Sequence, residues 1–260
     1  MAVNHTISAV LNTYNAAQHL PQVLEALTGF DEIVVCDMHS TDSTVRIAEQ
    51  YGSKILYHEY AAICEPARNA AIQAASSEYI LVVDADEIVP TALRQHLYEL
   101  IKSPNAPAAV RIPRRNYFLG RWMRCLYPDY ITRFARRTAI DWPPTIHAQP
   151  VIDGHIATIH TKRPDLAFEH LADNTLSGRL QKTDLYTERE VLRRGARNYG
   201  YSALLFKPLF RFLKTYLMKG GWRDGRAGLV WAYMDAMYKF VTLAKQIEAT
   251  HNNNKEEAKS

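Results

Sequence analysis

Cysteine is scarce in this chain: Cys36, Cys64 and Cys125 are the only three in 260 residues. None of them shares the short spacing of a thiolate metal motif, which excludes a zinc ribbon or finger. An odd count excludes a fully paired disulfide framework. With no secretory leader pattern at the start, the expectation is a reducing cytoplasm. Long apolar runs are also missing. The most apolar candidate, residues 227–244, is interrupted by Asp235 and Lys239, which a membrane-spanning helix rarely tolerates. Glycine-rich phosphate loops are absent too. The first apolar run is followed by Asn12-Thr13-Tyr14-Asn15 instead of Gly-x-Gly-x-x-Gly, and Gly-x-x-x-x-Gly-Lys-Ser/Thr occurs nowhere. Dinucleotide-dependent dehydrogenases and P-loop ATPases therefore drop out. No internal repeat or low-complexity linker divides the chain. Its formal net charge of +4 is modest, so local clustering matters more than the total.

What the chain does have is a series of apolar runs ending in polar tips. Tyr79-Ile80-Leu81-Val82-Val83 is too short for a typical helix and stops at Asp84-Ala85-Asp86-Glu87. Such a run reads as a buried parallel strand. Side chains alternate along a strand, so extended geometry carried to the tip aims Asp84 and Asp86 the same way. Ligands of open α/β sheets bind beyond the carboxyl ends of the strands. Two convergent carboxylates there suit a hard divalent cation that keeps waters and bridges substrate phosphates. The plainer alternative is a solvated strand end that caps the next helix, expected from about Pro90. Residues 6–11 and 32–36 repeat the pattern, running into Asn12-Thr13-Tyr14-Asn15 and Asp37-Met38-His39-Ser40. Residues 54–57 add another strand, and helices are expected near 19–27, up to 50, and over 66–75. This alternation predicts βαβ units and an α/β fold with a mostly parallel sheet. The first, second and fourth strand tips then share one rim.

These segments carry a family resemblance. Val-Leu-Asn-Thr-Tyr-Asn at 10–15, Asp-Glu-Ile-Val-Val-Cys-Asp-Met-His-Ser-Thr-Asp-Ser-Thr at 31–44, Ala-Arg-Asn-Ala-Ala at 67–71 and Leu-Val-Val-Asp-Ala-Asp-Glu at 81–87 resemble family 2 glycosyltransferases. The pattern continues through residues 116–122 and 127–130 to Gly-Gly-Trp-Arg-Asp-Gly-Arg-Ala-Gly at 220–228 and Ala244-Lys245. In that longer form it resembles the bacterial branch that includes lipopolysaccharide core β-glucosyltransferases. The resemblance implies a GT-A fold, Rossmann-like, with a helical C-terminal extension. Residues 1–172 would bind the nucleotide sugar and carry catalysis, and 173–250 would form a helical region facing membrane or acceptor. The polar stretch 251–260 is expected to be a disordered tail.

The implied activity is inverting sugar transfer, dependent on Mn2+ or Mg2+. The donor is a nucleotide-diphosphate sugar, UDP-hexose foremost. The acceptor is a saccharide of a lipopolysaccharide core or another cell-envelope glycan, at the cytoplasmic face of the membrane. The alternative is a nucleotide-sugar-binding relative that has lost transfer. By position, the resemblance makes Asn12, Thr13 and Tyr14 the floor of the nucleoside pocket and sets Asp37 against base or ribose. Arg68 falls near the donor, Asp84 at the ribose or the metal, and Asp86 at the metal itself. For Asp37 the plainer role is a turn carboxylate; for Arg68 it is a surface ion pair. One departure stands out. The family's Asp-Ser-Gly-Ser-x-Asp-Gly-Thr loop has Met38-His39 here in place of Ser-Gly, and Ser43 in place of the second glycine. Glycine accepts positive φ without steric cost, so a side chain there restricts the loop.

Inverting transfer needs a base to take the acceptor hydroxyl's proton. Relatives in this branch carry Val-His-Glu, where this chain has Ile146-His147-Ala148: the histidine without the glutamate. Asp129, in Tyr-Pro-Asp-Tyr, is the leading substitute, and His147 is the other candidate; Asp141 and Glu169 are weaker ones. His147 and His170 are also the histidines that the resemblance brings toward metal or diphosphate. Between Arg111 and Arg137 lie eight arginines and only Asp129 as a carboxylate. Guanidinium forks suit phosphate, so this stretch reads as a diphosphate or phospho-acceptor cradle, or as a solvated basic face. Basic charge also suits nucleic acid, but no nucleic-acid-binding module is present. Residues 204–217 mix bulky apolar and cationic side chains. That suits an interfacial helix on an anionic membrane, or a helix packed on the catalytic domain with snorkelling lysines.

Overall fold

Apolar runs of period two and helices of period 3.6 alternate from the first described residues onward. In chain order the elements are β1 (Ile7–Thr13), α1 (Leu20–Leu27), β2 (Glu32–Asp37), α2 (Thr44–Gln50), β3 (Lys54–Tyr57), α3 (Glu65–Ala74), β4 (Tyr79–Asp84), β5 (Glu87–Ile88), α4 (Thr91–Ile101), β6 (Ala109–Phe118), β7 (Arg121–Trp122), β8 (Asp129–Arg136), β9 (Ile140–Asp141), β10 (Val151–Ile152), β11 (Ile156–Thr158), β12 (Phe168–His170), α5 (Leu176–Arg194), α6 (Tyr201–Leu213) and α7 (Gly225–Glu257). The computed structural model describes residues 5–61, 65–143, 149–171 and 175–257. It divides into two units, Met1–Arg115 with Pro128–Ala172, and Asn116–Tyr127 with Asp173–Ser260.

The first unit is built on a mixed sheet in the order β3-β2-β1-β4-β8-β6-β12-β5. β1 pairs in parallel with β2 on one side and β4 on the other, and β3 extends the parallel part. β8 and β6 then run antiparallel. Both faces of the parallel part are covered, which is why β1 and β4 are apolar almost throughout. Alternation sorts their side chains into two cores. Ile7, Ala9 and Leu11 of β1 with Tyr79, Leu81 and Val83 of β4 pack against α1 and α4. Val10 with Ile80 and Val82 packs on the other face against Ala67, Ala71 and Ile72 of α3. α1 presents Leu20, Val23, Leu24 and Leu27, and α4 presents Leu93, Leu97 and Ile101, each a stripe of helical spacing. The consequence for function is positional. Asp84 and Asn12 continue the α3 face, and Thr13 continues the other.

The second unit holds α5, α6 and α7 together with the hairpin in which β7 pairs with Tyr117 and Phe118. Its small core is Phe118, Met123, Cys125, Ala227 and Trp231. The glycine-rich motif at 220–228 is a scaffold here. Asp224 accepts hydrogen bonds from the amides of Arg124 and Cys125 at 3.0 and 2.9 Å, tying the α7 start to the hairpin segment. Gly228 allows this approach, since a Cβ on it would lie 1.9 Å from the carbonyl oxygen of Gly221. Helix α7 runs to Glu257, so it continues through residues expected to form a tail. Lys255, Glu256 and Glu257 are good helix formers, and extending an existing helix avoids the cost of nucleation. Among the described residues no helix is long and apolar enough to cross a membrane.

Gly228→Ala must displace the Gly221 carbonyl and is expected to destabilise the second unit by about 1–3 kcal/mol. Urea unfolding followed by Trp fluorescence reads this out; a midpoint equal to wild type would contradict the close approach.

Candidate active site

On the α3 side of the sheet, Asp84 closes β4 with its carboxylate between two guanidiniums. Arg68, from α3, donates to Oδ1 at 2.8 Å, and Arg133, from β8, donates to Oδ2. Both arginines are buried, and both lie over the Trp142 ring, 4.6 and 5.6 Å from its centroid. Trp142 is held in turn by Asn69, which exchanges two 3.0 Å backbone hydrogen bonds with it and donates to Asp141. Asn12 lies in register between Cys36 of β2 and Asp84 of β4. This corner therefore joins Asn12, Arg68, Asp84, Arg133 and Trp142.

The strand ends at Asp84. Ala85 and Asp86 form a turn, closed where the Asp84 amide donates to Glu87 Oε2 at 3.2 Å. Extended geometry does not persist to the tip, so the two aspartates part. Asp86 is 36% exposed and has His170 Nε2 3.3 Å from its carboxylate. The antiparallel pairing of β12 with β5 brings the histidine there. Burial works to raise the Asp86 carboxyl, but the hydrogen bond and charge of His170, followed by Arg114, hold it below its ordinary value. Glu87 is fully buried. Burial first, and the charge of Asp84 second, push its carboxyl well above the ordinary range, against the pull of Arg114. Arg114 bridges two carboxylates, reaching Glu87 at 2.9 Å and Asp129 at 2.7 and 3.0 Å.

On the other side of the rim, the Thr13 hydroxyl donates to Asp37 at 2.7 Å. The Ser40 amide and hydroxyl donate to Asp37 at 2.7 and 2.6 Å, and no part of Asp37 is exposed. Asp37 thus acts as the turn carboxylate that organises the 37–40 loop. Tyr14 is exposed and packs on Tyr60, with ring centroids 4.6 Å apart. His39 has φ +60°, the conformation glycine takes most easily, and its ring stacks on Tyr57 at 5.5 Å.

Residues 8–157 match the sequence model of glycosyl transferase family 2. The chain belongs to this family. It is a glycosyltransferase, and the lipopolysaccharide core biosynthesis glycosyltransferase LpsC of Rhizobium meliloti is 26% identical to it over 254 residues, 92% of this chain and 91% of LpsC. An uncharacterized glycosyltransferase of Rickettsia felis is 22% identical over 260 residues, 94% of this chain and 90% of that protein. The crystal structure of S. aureus TarS 1-349 superposes with a TM-score of 0.50 at 15% identity, covering 95% of this chain and 92% of TarS 1-349. The mixed sheet flanked by helices is the GT-A fold, followed by a helical C-terminal stretch.

In this glycosyltransferase the expected site residues fall into three groups. Asn12, Arg68 and Asp84 meet at the α3 corner. Thr13 and Asp37 meet on the opposite face, because adjacent strand residues point to opposite sides. Asp129 is bound by Arg114, whose charge also acts on Asp86, and Tyr14 stands apart on the surface. His147 lies outside the described residues. Glu169 is paired with Arg115. The arginine-rich stretch is less of a phosphate cradle than its local charge suggests. Arg114, Arg115 and Arg133 are committed to Asp129 and Glu87, Glu169 and Asp84, carboxylates brought mostly from other strands. Sequence reasoning missed Glu87 and Trp142, while His170, one of the two histidines expected near the site, lies against Asp86. The one available signal for Glu87 was its place directly after the Asp-x-Asp pair.

The residues fit a divalent cation that arrives with a diphosphate. Both oxygens of Asp84 take guanidiniums; Asp86, exposed to a similar degree, takes none and has His170 beside it instead. Among the described residues no group of three or more His, Cys, Asp or Glu forms a closed cage. One carboxylate plus substrate phosphates and water is a sufficient shell for Mg2+ or Mn2+.

Asp84→Ala leaves two buried guanidiniums facing each other and is expected to cost on the order of 3 kcal/mol. Asp86→Ala is expected to cost within about 1 kcal/mol. Equal unfolding midpoints for the two variants would refute the clamp.

Proposed function

We propose that the chain is a metal-dependent, inverting glycosyltransferase that moves a hexose from UDP-hexose to a lipopolysaccharide core or related envelope saccharide. The observation that carries this reading is Asp86: a half-buried carboxylate just beyond the β4 tip that stands outside the guanidinium clamp engaging Asp84. The role of LpsC in lipopolysaccharide core biosynthesis supports the acceptor class. Bound with the donor, Mn2+ or Mg2+ would neutralise charge developing on the departing diphosphate.

Asp86 would hold the cation, with His170 fixing the carboxylate's direction. Tyr14 offers an exposed ring face to the nucleoside base. Asn12 and the Arg68–Asp84–Arg133 clamp set the position of the donor, and the Asp37 loop shapes the nucleoside side. Asp129, 37% exposed with one oxygen oriented by Arg114, takes the proton from the acceptor hydroxyl as that oxygen bonds to the anomeric carbon and the diphosphate leaves. His147 is the other candidate for this proton transfer. The reaction would take place at the inner face of the cytoplasmic membrane.

Thermal unfolding with a panel of nucleotide sugars, with and without Mn2+ or Mg2+, tests the donor site, since a ligand of the folded state raises stability as RT ln(1 + [L]/Kd). The expected result is a metal-dependent shift with UDP-sugars that Asp86→Ala abolishes together with transfer, while its circular dichroism is unchanged. Full transfer by Asp86→Ala would remove the metal role. Donor binding without hydrolysis or transfer across a broad saccharide panel would favour the degenerate alternative.

A further inference from the structure

The second unit carries a surface that sugar transfer does not account for. Helix α6 has no buried residue, although its sequence is mostly apolar. Leu205, Leu209, Leu213 and Leu217 repeat every fourth residue and are all exposed; Phe206 and Phe210 lie beside them, each 61% exposed. The inner side of the helix is anchored independently. Phe212 packs on Tyr233 of α7 at 4.7 Å, and Arg211 and Thr215 both reach Asp235 of α7, at 2.9 and 2.6 Å. The apolar stripe is therefore the outer face of a fixed helix. Contiguous apolar patches of this kind are rare on a monomer that meets only water.

Next to the stripe is a cavity of about 610 Å3 between α5, α6 and α7. Phe206 and Phe210 supply its apolar wall. Arg193 and Arg194 of α5, Lys207, Arg211 and Lys214 around α6, and Lys239 of α7 supply six cations against the single carboxylate Glu190. Glu190 is spent on Arg194 at 2.8 Å and on the Tyr238 hydroxyl at 2.7 Å. Arg211 is held by Asp235, and Lys207 lies over the Tyr199 ring at 4.4 Å. Arg193, Lys214 and Lys239 make no ion pair among the described residues. Uncompensated like charges around one cavity repel each other, and an anion entering it relieves that repulsion.

An apolar stripe, aromatic rings at its border and a cationic cavity alongside match one occupant in both charge and polarity. We propose that α6 lies in the interface of an anionic bilayer, and that the α5–α6–α7 cavity takes the phosphate head group of an anionic phospholipid. The stripe enters the acyl boundary while the cations remain at head-group level, which is how a basic amphipathic helix binds without spanning. The proposal deepens the reading of an envelope-saccharide acceptor and rests on it only for the presence of a membrane.

Sedimentation of the full chain with vesicles of phosphatidylcholine alone, or mixed with phosphatidylglycerol, tests this. The expected result is binding to the mixed vesicles, weak binding to phosphatidylcholine, and loss of binding with added salt. Lys214→Gln with Lys239→Gln is expected to weaken partitioning roughly fivefold per cation removed. Leu209→Glu with Phe210→Glu should abolish it at every salt concentration, with circular dichroism unchanged. Equal binding to both vesicle types, or none to either, overturns the proposal, as does unchanged binding by the lysine variant. A dimer in solution that protects Leu209 and Phe210 assigns the face to a second copy instead. Vesicle binding is read without donor, so its failure leaves the transfer reading standing. Conversely, vesicle binding with no nucleotide-sugar shift overturns transfer alone.

Discussion

The carboxylate of Asp84, held between the guanidiniums of Arg68 and Arg133, is the interaction on which the arrangement of the site depends. It ties together the end of a central parallel strand, the helix that covers one sheet face, and the first antiparallel strand. Two buried cations need this anion far more than a surface pair would, because together with the Trp142 ring it offsets the cost of desolvating them. Once Asp84 is committed, the chain beyond it must turn. Glu87 closes the turn, and Asp86 is the carboxylate left outside the clamp, beside His170. The different partners of these neighbouring aspartates thus follow from packing, with no special property of either residue.

A similar economy governs the opposite side of the rim. Asp37 receives three hydrogen bonds from Thr13 and Ser40 and has no exposed surface. The loop it organises holds His39 with a positive φ, a conformation costly for a residue with a Cβ, and the stack on Tyr57 offsets part of that cost. A glycine would adopt the loop freely; the histidine adopts it with support from β3.

Much of the first unit was legible in the sequence, because its signals are local. β1, β2 and β4 are short apolar runs with abrupt polar ends, and α1 and α4 are clean stripes. The tips that gather at one rim followed from that order alone. The polar residues gathered at the strand tips were legible in the sequence, but their pairing was not. The partners of Asp84 lie 16 and 49 residues away along the chain. Counting charges between Arg111 and Arg137 overlooked Glu87, Glu169 and Asp84, which reach those arginines from other strands. The turn at Ala85–Asp86 depends on a carboxylate buried by tertiary packing, which no local pattern signals. Alternation did contain the information that Asn12 and Thr13 face opposite ways, although the resemblance grouped them on one floor.

Arg114 is shared by Glu87, which closes the turn after β4, and Asp129, the base proposed above. Replacing any one of the three changes what the other two must do: without the arginine a buried acid loses its partner, and without either acid the arginine leans wholly on the other. In evolutionary terms the trio is a single heritable unit. A lineage that alters Asp129 does so against the constraint of the turn that Glu87 closes, and the effects of paired substitutions here will depart from the sum of the single ones.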